Sequence, residues 1–313
     1  MATPTSPPPT ETAAPTSGGF VALIGAPNSG KSTLLNALVG AKVSIVSRKV
    51  QTTRARVLGI AIEGGAQIVF VDTPGIFAPK KRLDRAMVAA AWQGVEDADL
   101  AAVLVDAHAN VRATDRETEA ILARLGESRR KAGLVLNKVD LVNPPQLLGL
   151  AERLNRTGPF TDTFMVSALT GDGVADLRRH FAKAMPEGPW LYPEDQITDM
   201  PDRLLAAELV REQLFETLHQ ELPYALTVET EAWEERNDGS VKIDCTIFVE
   251  RDSQRAIVLG KGGERIKAAG AAARKELEDL FERRVHLFLF VKVRDKWQDD
   301  PERYRAMGLE WEG

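Results

Sequence analysis

The most constraining feature of the sequence is the segment GAPNSGKS at residues 25–32, which matches the pattern G-x-x-x-x-G-K-[ST]. It follows an apolar run and opens a helical pattern. Its glycines let backbone N–H groups curl around a phosphate, and the helix start adds partial positive charge. Lys31 can reach the β- and γ-phosphates, while the Ser32 hydroxyl can ligate Mg²⁺. The predicted phosphate-binding residues are Gly25, Ala26, Pro27, Asn28, Ser29, Gly30, Lys31, Ser32 and Thr33.

From residue 20 onward, short apolar runs alternate with helical patterns. The apolar runs cover residues 20–24, 57–62, 68–71, 100–105, 134–136 and 164–166. The helical patterns cover residues 31–39, 83–94, 115–125, 145–155 and 174–185. This alternation predicts an α/β fold with a mostly parallel sheet covered on both faces. Ligands bind such sheets at the carboxyl ends of the strands, so we expect the chemistry in the loops there.

A second motif, Asp72-Thr73-Pro74-Gly75, closes the apolar run at residues 68–71. An aspartate at a strand end is common in ordinary turns, but here it stands in register behind a phosphate loop. Asp72 can hold Mg²⁺ through water, and the Gly75 amide can meet the γ-phosphate. The motif therefore predicts the metal and γ-phosphate side of a nucleotide site.

The third motif, Asn137-Lys138-Val139-Asp140, selects the base. The Asp140 carboxylate can accept hydrogen bonds from guanine N1 and N2, a donor pair that adenine lacks, so the motif predicts GTP rather than ATP. The Lys138 stem can lie on the purine, and Asn137 can tie loops together. A later segment either offers a backbone N–H to guanine O6 or is a simple turn. Its residues are Ser167, Ala168 and Leu169.

A second domain follows a linker. Residues 186–200 are rich in proline and cannot continue a helix, although Trp190 and Tyr192 can anchor them. Residues 201–313 then show the order helix–strand–strand–helix–helix–strand, starting with a long helix at residues 201–222. A G-x-x-G turn, Gly260-Lys261-Gly262-Gly263, joins two of these helices. The order and the turn predict an α+β, type II KH-like RNA-binding domain, against a plain structural turn as the alternative.

The charge distribution supports a local RNA site. The net charge is −5. Residues 186–313 hold 18 basic and 28 acidic residues, a larger negative charge than that of the whole chain, so residues 1–185 are net basic. Within this acidic part, residues 251–267 are net basic. Acidic surroundings favour one short single strand at the G-x-x-G turn over duplex RNA. The predicted RNA-binding residues are Arg251, Arg255, Gly260, Lys261, Gly262, Gly263, Arg265 and Lys267.

The remaining composition predicts a soluble, cytoplasmic protein. Residues 1–18 are rich in Pro and Thr and predict a disordered tail, without the basic and apolar regions of a signal peptide. No apolar run reaches the length of a membrane span. The only cysteine, Cys245, excludes an intramolecular disulfide and lies on the apolar face of a predicted strand. We expect a monomer.

Together these motifs resemble translation-factor-related GTPases, most closely the Era family. Residues 47–54, SRKVQTTR, look like the Era switch segment, and on this resemblance Thr53 rather than Thr52 supplies a hydroxyl to Mg²⁺. The resemblance covers residues 19–300, with a GTPase domain at residues 19–185. It implies GTP/GDP and Mg²⁺ as ligands, with Ser32, Thr53 and Asp72 around the metal.

The resemblance also implies a biological role. It predicts a GTPase that binds single-stranded 16S ribosomal RNA near its 3′ end and assists assembly of the small ribosomal subunit. The nucleotide would set the placement of the two domains and the affinity for RNA. Members of the family are also reported at the inner membrane face, but nothing in this sequence supports peripheral membrane contact.

The expected hydrolysis site has an unusual composition. Where many small GTPases carry a water-orienting glutamine after Asp-x-x-Gly, this chain has Ile76, which cannot hydrogen-bond water through its side chain. In this respect the Era group resembles other GTPases with a hydrophobic residue at this place, and the resemblance implies that an Asn in the phosphate loop, here Asn28, can hold K⁺. The alternative is that Asn28 braces the loop. The predicted catalytic residues are Asn28, Lys31, Thr53 and Gly75.

Two other functions stay open at this stage. Ile76 is consistent with an RNA-binding chaperone whose nucleotide domain is a slow conformational switch. A signalling GTPase with a protein effector is the third reading, and the KH-like domain weakens it.

Overall fold

The computed structural model describes residues 16–47, 49, 52–218, 222–295, 297 and 300–311. The first part of the chain contains β1 (Ser17–Gly25), β2 (Val57–Glu63), β3 (Ala66–Asp72), β4 (Leu100–Asp106), β5 (Ala132–Asn137) and β6 (Phe160–Met165). They form one six-stranded sheet in the order β2-β3-β1-β4-β5-β6. β2 is antiparallel to β3, and the other neighbouring pairs are parallel. The predicted, mostly parallel sheet is confirmed.

Helices cover both faces of this sheet. They are α1 (Lys31–Val39), α2 (Arg82–Asp97), α3 (Ala107–Asn110), α4 (Arg116–Ser128), α5 (Pro144–Thr157) and α6 (Val174–Ala184). In β1, Val21 and Leu23 join a core with α1 and α6, whereas Ala22 and Ile24 join a core with α2 and α4. Successive side chains of a strand point to opposite faces, so a strand buried on both sides is apolar throughout.

Two predicted boundaries change. The tail predicted for residues 1–18 ends too late, because Ser17 and Gly18 already belong to β1 and pair with Ala66 and Gln67 of β3. Residues 1–15 lie outside the described residues. β6 begins at Phe160 rather than at residue 164. Polar residues and an edge position hide the start of this strand from an apolar pattern.

The second part of the chain folds around a three-stranded sheet. Its elements are α7 (Asp202–Thr217), β7 (Leu226–Glu235), β8 (Val241–Val249), α8 (Asp252–Leu259), α9 (Glu264–Phe281), β9 (Val285–Val293) and α10 (Pro301–Ala306). The sheet order is β7-β8-β9, with β7 antiparallel and β9 parallel to β8. The predicted element order is confirmed. The first helix ends at Thr217, about one turn before the expected position.

One face of the small sheet forms the core of this second domain. Ile243 and Cys245 are fully buried, two residues apart on β8. Ala269, Ala273 and Leu277 of α9 pack against them at helical spacing. The small alanines let α9 approach the sheet closely. Burial of Cys245 in this core is the environment expected of a small apolar residue.

Residues 186–200, predicted to be a linker, lie against the nucleotide domain. The indole Nε1 of Trp190 donates to Gly65 O at 2.9 Å, and Ile60 N donates to Ile197 O at 2.8 Å. The side-chain oxygen of Gln67 accepts from the amides of Leu191 and Tyr192. These contacts fix the chain along the β2–β3 side of the sheet, and they support anchoring near Trp190 and Tyr192.

The chain end returns to the nucleotide domain. Tyr304 of α10 and the nearby Leu309 pack against Leu83 and Met87 of α2, and all four are buried. The helix that follows the Asp-x-x-Gly motif therefore contacts the second domain. Among the helices of the described residues, none has the length and apolarity to cross a membrane.

Candidate active site and RNA-binding loop

The phosphate loop joins β1 to α1 and depends on one glycine in particular. Gly30 has φ 94°, a left-handed conformation. A Cβ added there would collide with Nδ2 of Asn137, which donates to Ser29 O at 2.9 Å. Asn28 is also left-handed, with φ 62°. The loop therefore follows a tight path that places it against the base-side motif.

Lys31 lies buried beneath the loop. Its Nζ donates to Ala26 O at 3.0 Å and to Gly25 O at 3.2 Å. Burial lowers the pKa of Lys31 to about 8, and the nearby Asp72 carboxylate partly opposes this effect. The hydrogen bonds of Nζ go to neutral carbonyls, so the positive charge of Lys31 can still be neutralised by an anionic phosphate.

The three predicted metal residues converge. Ser32 Oγ lies 2.7 Å from Asp72 Oδ2 and 2.8 Å from Thr53 Oγ1, and Ser44 Oγ also donates to Asp72 at 3.1 Å. Asp72 is fully buried, and this burial raises the pKa of its carboxyl group. Its Oδ1 has no hydrogen-bond partner among the described residues. Clustered hydroxyl and carboxylate oxygens, one of them unsatisfied, fit a hard cation such as Mg²⁺.

The γ-phosphate side is formed by Gly75 and Ile76. A Cβ at Gly75 would lie 3.0 Å from Pro27 Cα, so this turn packs tightly against the phosphate loop. Ile76 N donates to Gly25 O at 3.1 Å, while its side chain is buried in the core with Trp92. The Ile76 side chain therefore lies in the core of the domain and offers no hydrogen bond to a water molecule.

The base-side motif is tied to both neighbouring loops. Asn137 Oδ1 accepts from Ala168 N at 3.0 Å. Lys138 Nζ donates to Asn28 O at 2.8 Å and pairs with Asp106 at 2.6 Å. Asp140 is exposed, as a base-recognising carboxylate needs to be. The contacts of Asn137 are those that its predicted role of tying loops together requires. Lys138, predicted to lay its stem on the purine, also links the phosphate loop to the end of β4.

The segment after β6 makes contacts that the sequence pattern did not indicate. The Ala168 amide is engaged with Asn137, so in this structure it holds the base-side motif. Ser167 is buried and its Oγ accepts from Thr170 N at 3.2 Å. Leu169 is 82% exposed beside this turn. The segment borders the base site, and its first two residues also brace it.

The switch segment (residues 47–54) touches the second domain directly. Arg48, Val50 and Gln51 of this segment lie outside the described residues. Arg54 is 4% exposed, and its guanidinium donates to Leu226 O at 2.7 Å, Tyr224 O at 3.1 Å and Pro223 O at 3.3 Å. One step before Thr53, the carbonyl of Thr52 accepts from Arg211 of α7. Both neighbours of Thr53 are thus held by the second domain.

The chain that leads into the switch segment is held in the same way. Glu212 of α7 accepts from Val46 N at 2.8 Å and pairs with Lys42 at 2.6 Å. Lys42 also pairs with Glu276 of α9 at 2.7 Å. Burial raises the pKa of Glu212, opposed by its bonds to Lys42 and Val46. α9 follows the G-x-x-G turn, so Lys42 joins the nucleotide domain to the helix next to that turn.

The G-x-x-G turn projects between α8 and α9. Gly260, Gly262 and Gly263 all have positive φ, from 61° to 79°. A Cβ at Gly262 would meet nothing within 4 Å, so the tip of the turn is open. Lys261 is exposed. An open turn without side-chain bulk lets a nucleic-acid backbone approach closely.

The basic residues around this turn divide into two groups. Arg251, Arg255 and Lys267 are exposed, as an RNA-contacting surface requires. Lys267 lies next to the turn, whereas Arg251 precedes α8 at the other end of that helix. Arg265 is half-buried and donates to Ile257 O at the end of α8. Arg265 therefore closes α8 as well as contributing charge. Ile257 is 48% exposed next to the turn, an apolar surface that the charge pattern did not reveal.

Sequence reasoning missed several residues of the nucleotide site. Ser44 contacts Asp72, and Asp106 contacts Lys138. Of the two, only Asp106 could have been recognised from the sequence, because it stands at the end of an apolar strand. The sequence indicated no partners for Arg54, Arg211 or Glu212, because the groups that they contact across the domain boundary are distant in the chain.

Comparisons with known proteins agree with this architecture. "GTPase Era" of Afipia carboxidovorans is 65% identical over 303 residues, covering 97% of each chain. The chain belongs to the Era family of GTPases. "GTPase Era" of Brucella suis is 62% identical, covering 95% of this chain and 94% of the relative. Family models described as "50S ribosome-binding GTPase" and "KH domain" match residues 20–138 and 221–298.

Solved structures of Era match both domains. A crystal structure of a point variant of Aquifex aeolicus Era bound to GDP and AlF₄⁻ has a TM-score of 0.87 and 40% identity, covering 94% of this chain and 99% of that one. A structure of Era in complex with MgGDPNP and nucleotides 1506–1542 of 16S ribosomal RNA gives the same values. The protein is thus a GTPase, with a GTPase domain followed by a KH domain.

Proposed function

We propose that this GTPase binds single-stranded 16S ribosomal RNA near its 3′ end and assists assembly of the small ribosomal subunit as a cytoplasmic monomer. The open G-x-x-G turn between α8 and α9 carries the proposal. The similar Era structure that contains a 16S fragment supports the choice of RNA. Peripheral membrane contact, which the sequence resemblance allows, stays an untested prediction.

The charges around the turn favour a short strand. Lys261, Arg251, Arg255 and Lys267 are exposed, while the rest of the second domain is acidic. Basic side chains position the phosphates, and unstacked bases are read beside the turn. The exposed Ile257 offers an apolar contact for a base at the same place. This arrangement limits binding to one strand at one surface.

A pair of matched substitutions tests the RNA site. Lys267 and Lys275 are both exposed lysines of α9, but only Lys267 lies next to the turn. We expect Lys267→Glu to weaken binding of a labelled 16S 3′-end oligonucleotide about tenfold, because it removes one phosphate contact, and Lys275→Glu to leave binding nearly unchanged. The same lost contact should reduce the slope of log affinity against log salt concentration by about 1 for Lys267→Glu. Equal affinities for both variants, measured by fluorescence anisotropy, would refute the assigned surface.

The nucleotide site supports Mg²⁺ with GTP or GDP, and we add K⁺ to the proposal. The side-chain amide of Asn28 is exposed and makes no hydrogen bond within the described residues. The loop is braced through the Asn28 carbonyl, which accepts from Lys138. Hydrolysis should be faster in K⁺ than in Na⁺, and Asn28→Ala should remove the difference. Equal rates of the wild-type protein in both salts would exclude this K⁺ role.

A slow switch attached to an RNA chaperone is the second candidate. The buried Ile76 side chain favours it, since it leaves the water without the usual glutamine partner. The contacts of α7 with Thr52 of the switch segment and with Val46 just before it support a nucleotide-dependent placement of the KH domain. Single-turnover hydrolysis with and without the RNA fragment separates the two. RNA-stimulated hydrolysis supports the enzyme, and an unchanged slow rate supports the chaperone.

A further inference from the structure

The side chain of Arg54 leaves the nucleotide domain and ends inside the KH domain. We propose that Arg54 is a positioning residue for GTP hydrolysis, held by the KH domain so that the adjacent Thr53 stays at the metal site. The inference concerns the established GTPase reaction and does not depend on RNA binding.

The binding site for Arg54 is built for a guanidinium group. Three main-chain carbonyls between α7 and β7 accept its Nη hydrogens, at 2.7–3.3 Å. Its guanidinium carbon lies 5.9 Å from the Phe215 ring centre and 5.7 Å from that of Trp297. Several directed N–H groups on a charge that lies close to aromatic rings suit arginine better than lysine.

Burying the charged guanidinium of Arg54 costs free energy, and this cost indicates that the residue has a specific role. Arg54 is 4% exposed, and the neighbouring positive charge of Arg211 adds to the cost of burying its guanidinium. The Nε atom has no hydrogen-bond partner among the described residues. A surface arginine would avoid this desolvation. The carbonyl contacts offset it only while the two domains keep this relative position.

The position of Arg54 is transmitted to the metal site through one peptide unit. Consecutive Cα atoms are about 3.8 Å apart, so anchoring Arg54 limits the positions that the adjacent Thr53 can take. Thr53 Oγ1 lies 2.8 Å from Ser32 Oγ and 3.4 Å from Asp72 Oδ2. Small displacements are sufficient to break that arrangement, because ligand positions around Mg²⁺ tolerate little error.

A second contact clamps the other side of Thr53. Arg211 donates to Thr52 O and is itself held by Glu208, with Nε to Oε1 at 2.8 Å. Arg211 is 1% exposed. Thr53 is therefore fixed between two arginine contacts that both cross the domain boundary. Contacts with the KH domain therefore position the Thr53 hydroxyl of the GTPase site.

The test compares Arg54→Ala and Arg54→Lys with Arg56→Ala. Arg56 is an exposed arginine two residues away and serves as the matched control. Single-turnover hydrolysis is measured against Mg²⁺ concentration in the full chain. The affinities for GDP and GDPNP are measured by calorimetry. Hydrogen exchange of the peptide that contains residues 52–54 is followed in the GDPNP-bound protein, so one readout is independent of activity.

We expect Arg54→Ala to raise the Mg²⁺ concentration needed for the half-maximal single-turnover rate at least about tenfold, within the 5–150-fold range usual for coupled binding sites, and to lower the rate at a fixed subsaturating Mg²⁺ concentration. Exchange at residues 52–54 should rise, while GDP affinity stays within about twofold, because GDP lacks the γ-phosphate that engages this segment. Arg54→Lys should recover part of each effect, and Arg56→Ala should show none.

Two results would overturn the inference. One is wild-type hydrolysis and Mg²⁺ dependence in Arg54→Ala. The other is an equal loss of GDP and GDPNP affinity, which would show general damage to the domain. If Arg54→Ala is too unstable to purify, Arg211→Met provides the second test, since it removes the donor to Thr52 O. A wild-type rate and Mg²⁺ dependence in Arg211→Met would then count against the clamp.

Discussion

Nucleotide binding should take up a proton through Lys31, because this lysine is buried and its pKa is about 8 in the protein without nucleotide. The bound phosphates add negative charge around Nζ and raise the pKa again. Above pH 8 the free protein is mostly neutral at Lys31, so binding must first recharge it. The affinity for GDP should therefore fall as the pH rises through 8.

The size of the effect follows from the pKa. If the bound pKa is well above 9, affinity scales with the charged fraction of Lys31 in the free protein. Between pH 7.5 and 8.8 this fraction falls about fivefold, equivalent to about 1 kcal/mol. At pH 8 each binding event should take up about half a proton. The range ends below pH 9 to limit titration of the base itself.

Calorimetry in buffers of different ionisation enthalpy measures both quantities. The control is Lys31→Arg, because a guanidinium stays charged over this range. The variant is expected to bind more weakly, but with an affinity that does not vary with pH beyond any titration of the nucleotide. A pH-independent affinity in the wild-type protein, or the same slope in Lys31→Arg, would refute the assignment to Lys31.

Three other predictions follow from the packing. Gly30→Ala should reduce GDP affinity at least about tenfold, since its Cβ would strike Asn137 and its φ is left-handed; wild-type affinity by calorimetry would contradict this. Asp72→Asn should raise the Mg²⁺ concentration needed for GDPNP binding several-fold, and an unchanged Mg²⁺ titration would argue against the metal site. Leu277→Ala should lower the free energy of unfolding by about 2–5 kcal/mol; a loss below 1 kcal/mol in urea denaturation would show that the core of the KH domain relaxes.

The motifs of the nucleotide site were predictable because each is a local solution to a local problem. The phosphate loop needs glycine at Gly30 and a strand before it, and both requirements are visible within ten residues. Asp72 and Asn137 stand at the ends of apolar strands, so the parallel sheet brings them to one edge. Cys245 followed from the period-2 pattern of β8.

Boundaries and secondary roles were less predictable. β6 was assigned too late, because its first residues are polar and exposed. Arg265 was assigned to RNA from its charge, but it also donates to Ile257 O and closes α8. The segment at Ser167–Leu169 is predicted either to offer a backbone N–H to guanine or to form a simple turn, and the contact of the Ala168 amide with Asn137 was not visible from the sequence. In each case a contact with a neighbouring segment competes with the role that the residue type indicates.

The sequence by itself determined the reaction and the ligand class, since backbone conformation, glycine placement and strand-end carboxylates act over a few residues. Only the tertiary structure decided where Arg54, Arg211 and Glu212 go. In sequence they are three ordinary charges, two of them on a helix with no clear apolar face. Their burial depends on carbonyls and amides more than 150 residues away in the chain. Such pairings arise when two folded domains meet, and no local pattern encodes them.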